Sequence, residues 1–206
     1  AYIKETLTDH QRIIFNGNGY SEEWPVEAQR RGLANNRTTA DALPAYIADK
    51  SIELFGEMGV LTESEIASRY ECKLERYCKL INIEARVMRR MTRRTFLPAI
   101  NDYASEIAES LKRYREMAPE SKTTAQETIL ANLLDSIEKI YALVEELDAA
   151  GKKAQETENL QERANYYAHS VIPIMDQLRE VVDYTETITD RSHWPVPSYN
   201  NMLFYV

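Results

Sequence analysis

Leu130, Leu133, Ile137, Ile140, Val144 and Leu147 step 3, 4, 3, 4, 3 along the chain. Leu160, Ala164, Tyr167, Val171, Ile174, Leu178, Val181 and Ile188 repeat the pattern, with Thr185 standing where one apolar member is missing. A seven-residue apolar period places these side chains along one narrow seam of a helix, and the seam must be covered by another helix. No segment alternates apolar and polar residues well enough for a strand. With only 6 Gly and 7 Pro in 206 residues, turns are few and helices must be long. The expected fold is therefore all-α, with long antiparallel helices packed as a bundle.

Further helices are placed around this pair. Thr62 and Glu65 stand at capping-box spacing and open a long helix running toward Ala118, with Leu74, Tyr77, Cys78, Ile81, Ala85 and Met88, then Ile100, Tyr103, Ile107, Leu111 and Tyr114, facing inward. Pro98 inside it and Pro173 inside the last helix each remove a backbone donor, so a kink is expected at both. Pro119 marks a turn, and a loop is expected around Gly151. Pro44–Met58 reads as a helix with Tyr46, Ile47, Leu54 and Phe55 inward, ended by Gly59. Ala1–Phe15 reads as a helix stopped by positive φ at Asn16–Gly19, and Ser21 as the N-cap of a short helix closed by Gly32. A change of character near Pro44 divides the chain into 1–43 and 44–206.

The charge balance is 25 Lys+Arg against 33 Asp+Glu, a formal −8. That argues against general binding to polyanions, which needs a basic surface. Arg86, Arg89, Arg90, Arg93 and Arg94 nonetheless share one helical face, and residues 69–94 carry nine basic and three acidic side chains. Residues 127–162 carry nine acids and three lysines. No stacking aromatics accompany the arginines, so internal pairing or a subunit contact is the favoured reading over nucleic acid or an anionic ligand.

No catalytic, cofactor-binding or metal-ligating residue is assigned. His10, His169 and His193 are scattered, with no Glu-x-x-His pair, and the Asn-Gly loop lacks the Lys-Ser/Thr of a phosphate cradle. Cys72 and Cys78 lie about 240° apart on a helix, too far round to pair, and read as reduced, mostly buried thiols. No uncharged apolar run reaches membrane-spanning length and no secretory signal opens the chain, so a cytoplasmic protein without membrane contact is expected. The segment His193–Phe204 is too apolar to hang in water, and its two prolines hold it extended, so it is expected to dock. The chain begins without Met, inside what reads as a helix, as a piece of a longer polypeptide would.

Four stretches go further: His10–Trp24 (HQRIIFNGNGYSEEW), Arg31–Leu33 with Thr38–Pro44 (TTADALP), Tyr77–Arg86 (YCKLINIEAR) and Trp194–Phe204 (WPVPSYNNMLF). Together they resemble the C-terminal part of type III glutamine synthetase. The resemblance implies that 1–43 is the end of a catalytic domain and its exit segment, and 44–206 a helical C-terminal extension. It implies an intact ligase that joins glutamate and ammonia through γ-glutamyl phosphate, using ATP and Mg2+ or Mn2+, with its ligands for both upstream of Ala1. It further implies the upstream catalytic domain and the other subunits of a dodecamer as partners, and a fragment inactive by itself. The alternative from the residues alone is a free-standing helical adaptor.

Overall fold

The computed structural model describes residues 1–197 and 199–203, so Ser198 and Phe204 of the apolar tail lie outside the described residues. Every regular element among these residues is helical. The chain opens with α1 (Tyr2–Asp9), a 3-10 turn at Gln11–Ile13 and α2 (Glu23–Arg30). The α-helix stops at His10, short of the expected Phe15, and neither Gly17 nor Gly19 has positive φ. Gly17 serves a different purpose: a Cβ there would meet the Phe15 ring 2.5 Å away. That ring packs on Trp24 at 4.7 Å, and Arg31 lies 5.8 Å over the indole while donating to the carbonyl of Ile14 at 2.7 Å. Ser21 does not cap α2, because its hydroxyl donates to the Asn18 carbonyl.

The chain then crosses to the bundle. Thr38 caps α3 (Thr39–Ala42) by accepting from the Asp41 N–H, a 3-10 turn covers Leu43–Ile47, and α4 spans Asp49–Glu57. The expected Pro44–Met58 helix is broken at Ala48, whose ψ of 145° is extended, and Leu54 faces solvent. Gly59, at φ +64°, ends the element as expected, since only glycine takes that conformation without strain.

Three antiparallel arms follow. The first is α5 (Glu63–Met91) and α6 (Leu97–Met117), the second α7 (Thr124–Glu156), the third α8 (Leu160–Tyr166) and α9 (Ile172–Ile188). The capping box at Thr62 and Glu65 forms in both directions, at 2.8 and 3.3 Å. Side-chain bonds give the register: Asn82 meets Gln155, Arg89 meets Asp148, Arg93 meets Glu145 and Arg115 meets Glu127, so numbers rise on the first arm as they fall on α7. The predicted seam is the core. Leu133, Ile140, Val144 and Leu147 of α7 and Tyr167, Val171, Ile174 and Leu178 of the third arm are buried. Thr185 completes the seam in place of an apolar residue; it is fully buried because its hydroxyl donates to the Val181 carbonyl at 2.7 Å, leaving its methyl to pack.

Both prolines are accommodated in the same way. A π-turn covers Thr92–Phe96 two residues before Pro98, and another covers Tyr167–Val171 two residues before Pro173. In each, the residue preceding Pro donates five residues back, Leu97 to Thr92 and Ile172 to Tyr167. The wide turn makes room for the ring that would strike a carbonyl four residues earlier.

Four further expectations are corrected. α7 runs through Gly151 to Glu156, and the chain turns at Thr157–Asn159, where the Asn159 side chain accepts the Glu162 N–H of the next helix. Cys72 is exposed while Cys78 is buried. Tyr114 is 49% exposed, lying in the last turn of α6. The tail, expected to be extended, turns at Arg191–His193, bends at Val196 and is helical at Tyr199–Leu203 (α10).

Candidate functional site

The arginine face lies on the outer side of α5 and the π-turn that follows. α5 turns Leu74, Cys78 and Ala85 inward, so residues about half a turn away, including Arg86, Arg90 and Arg94, point out. The five arginines divide into two sets. Arg89 pairs across the bundle with Asp148, which Lys152 also reaches at 2.9 Å, and Arg93 pairs with Glu145. Asn82 accepts from Gln155 at 3.1 Å, extending the polar edge of the α5–α7 contact by two turns. Internal pairing therefore accounts for two of the arginines. Arg86, Arg90 and Arg94 are exposed and, among the described residues, have no carboxylate partner.

These three border an open groove of about 550 Å³ that Ile83 and Val87 also line. Beside it runs an apolar ridge at Leu80, Ile83, Val87 and Met91, 47%, 56%, 40% and 38% exposed. The inward series at 74, 78, 81, 85 and 88 is buried or half-buried and dominates the helical period, which hides this second stripe in the sequence. The visible signal was four large apolar residues out of phase with the core.

The π-turns fasten the C-terminal tail and the crossing segment at Asp41 to the bundle. Phe96, in the first, packs against Trp194 at 5.3 Å, and His193 sits 5.2 Å from Tyr103 with its Nε2 3.2 Å from Glu106. The described part of the tail thus docks as expected. His169, in the second, approaches Asp41 at 2.9 Å. Next to it Gln161 donates to the Ala40 carbonyl at 2.9 Å and accepts from the Tyr70 hydroxyl at 2.5 Å, so fully buried Ala40 is clamped between α5 and α8. The Thr38 hydroxyl and then His169 hold the Asp41 carboxyl below its ordinary range.

His10 lies exposed on the N-terminal segment, so the three histidines are not brought together. Among the described residues no three His, Cys, Asp or Glu side chains converge on a point that could hold a metal ion. No helix among them is long and apolar enough to cross a membrane. Burial pushes the Cys78 thiol above its ordinary pKa, which makes it a packing group rather than a nucleophile.

Comparison with known proteins bears on residues 1–115, which match the family model described as the glutamine synthetase C-terminal domain. The chain is 35% identical over 202 residues to a glutamine synthetase of Butyrivibrio fibrisolvens, covering 98% of this chain and 29% of that protein. It is 34% identical over 206 residues to the type-3 glutamine synthetase of Dictyostelium discoideum, covering 98% and 28% respectively. A glutamine synthetase of Bacteroides fragilis is 32% identical over 207 residues, again with 98% and 28% covered. The chain therefore spans less than a third of the length of these relatives.

Proposed function

The chain belongs to the family of the glutamine synthetase C-terminal domain, and from that premise we propose that it is the non-catalytic helical end of a type III glutamate–ammonia ligase. The observation that carries this reading is coverage: nearly the whole chain aligns with ligases, and each alignment takes up only 28–29% of the ligase. The intact protein would join glutamate and ammonia at the expense of ATP, with Mg2+ or Mn2+. Among the described residues no donor set fits a divalent metal. Residues 1–43 would close the catalytic domain and lead out of it, and 44–206 would form the extension that serves assembly or regulation in the cytoplasm.

The N-terminal segment supports this division. α1 buries none of its residues, yet Tyr2, Ile3 and Leu7 are 80%, 75% and 52% exposed. An apolar face that large is stable in water only when something covers it, and the upstream catalytic domain is the occupant that the family supplies.

Activity tests the reading. The intact polypeptide is expected to release phosphate from ATP only when glutamate and ammonia are both present, while purified 1–206 releases none. In a lysate, antibody to this chain should mark a band several times larger than 23.8 kDa that co-sediments with the activity. Turnover by 1–206, or a native band at 23.8 kDa, would overturn it.

A further inference from the structure

The face of α5 that the bundle leaves uncovered has the chemistry of a buried contact. Between Leu80 and Met91 lie four large exposed apolar side chains, and the charges beside them through Arg94 are five arginines and one exposed acid, Glu84, with no lysine between residues 80 and 94. A face built for water is ordinarily rich in Lys and Glu, whereas protein contacts are enriched in Arg, Met and apolar residues and depleted in Lys. Arg86, Arg90 and Arg94, four residues apart, form one row about 12 Å long alongside the apolar ridge. Internal pairing has already taken Arg89 and Arg93 and cannot account for this row.

Charge indicates what covers it. The chain carries −8 in all and residues 69–94 carry +6, so the remainder carries −14. A second copy of the chain is therefore an acidic partner present at equal concentration. One of its surfaces matches in pattern as well as sign. On the outer side of α7, Leu134 and Tyr141 are 50% and 57% exposed, and exposed Glu138 lies between them without a partner among the described residues. Positions 134, 138 and 141 share one helical face, as do 83, 87 and 90.

We propose that the outer face of α5, from Leu80 to Arg94, is a contact between two copies of the chain, in which Arg86, Arg90 and Arg94 meet the Glu138 side of α7 on the second copy. Apolar ridge against apolar ridge supplies the affinity, and the arginine row sets the register and excludes a face like itself. Pairing α5 with α7, rather than with its own equivalent, makes the contact one between unlike patches. Arg would otherwise face Arg. The proposal rests on the assembly role in the proposed function, taken with the homo-oligomer that the resemblance implies, and names its surface.

Photo-cross-linking in the intact polypeptide tests it without disturbing the charges. Benzoylphenylalanine is placed at Val87, or at Ile83 in a second preparation, in an equal mixture of 14N- and 15N-labelled protein. Irradiation is expected to give a product of twice the polypeptide mass, containing mixed-isotope peptide pairs that join α5 to α7 of the other copy. The yield should fall about tenfold in R86E/R90E/R94E, and several-fold between 50 and 500 mM NaCl as screening shortens from roughly 14 to 4 Å. Links confined to one copy, links to another protein, or no cross-link at either position would overturn the proposal. Sedimentation of the same samples then distinguishes the failures: a monomeric polypeptide overturns the homo-oligomeric reading too, whereas an oligomer without the cross-link overturns only this surface. Ligase turnover is measured separately and decides neither outcome.

Discussion

Replacing Gly151 by Ala should stabilise the protein, and the same replacement at Gly59 should destabilise it. Gly151 lies inside α7 with ordinary helical backbone, and a Cβ built there meets nothing within 4 Å. Alanine is worth about 0.8–1.0 kcal/mol over glycine in a helix interior, because the unfolded chain then has less conformational freedom to lose. Gly59 also has open space for a Cβ, but its φ is +64°, where an L side chain costs about 1–2 kcal/mol. Space is thus equal at the two sites and backbone conformation alone sets the sign. For a domain of this size 1 kcal/mol moves Tm by about 2–4 °C, so G151A should melt that much higher and G59A lower by as much or more. The two sites share no partner, and the double variant should melt within about 0.5 kcal/mol of the sum. Thermal melts followed by far-ultraviolet circular dichroism give both shifts. A lower Tm for G151A would refute the continuous helix and restore a turn at Gly151.

Leu133→Ala should cost about 2–5 kcal/mol in urea unfolding, since the side chain is fully buried in the seam and its removal leaves a cavity. Thr62→Ala removes the hydroxyl that accepts the Glu65 N–H and should cost about 1 kcal/mol, which Thr62→Ser should largely restore. Acid should loosen the N-terminal segment first. Hydrogen bonds from Arg30 and Arg31 lower Glu27 from 4.5 to about 2, so its stabilising contribution is complete above pH 4.5 and fades as pH falls toward 2. Glu65 and Asp41, also held below their ordinary values, act in the same direction, and carboxyl chemical shifts followed by NMR from pH 6 to 2 check all three. A Glu27 midpoint near 4.5 would show that the arginine pair does not form.

Much of the bundle was legible because it is written in local terms. The capping box at Thr62 needs only two residues three apart, and it forms as read. The seam from Leu133 to Leu147 depends on period alone, which is why its buried members were found. Gly151 misled because glycine has two roles, helix breaker and tolerated helix residue. The neighbouring Ala149, Ala150, Lys152, Lys153 and Ala154 are good helix formers that carry the helix through it. Asn159 is the true stop, and it acts by starting the next helix. The candidate site was half legible. The arginine face was plain from spacing, but which arginines pair inward depends on Asp148 and Glu145, more than fifty residues away. The ridge at Leu80, Ile83, Val87 and Met91 escaped because a second apolar stripe on one helix cannot be ranked against the first without knowing which faces the core.

Fold class, the positions of most helices and the family were readable along the chain, since helix periodicity, capping and the long unusual stretches at both ends are properties of neighbouring residues. Three-dimensional packing was needed to show that each proline is absorbed by a π-turn, that Thr185 can serve as a core residue, that Phe96 and His169 fasten the tail and the crossing segment at Asp41, and that three of five arginines face outward beside an apolar ridge. Those outcomes depend on what stands opposite each side chain, and a helical period specifies a face without specifying what covers it.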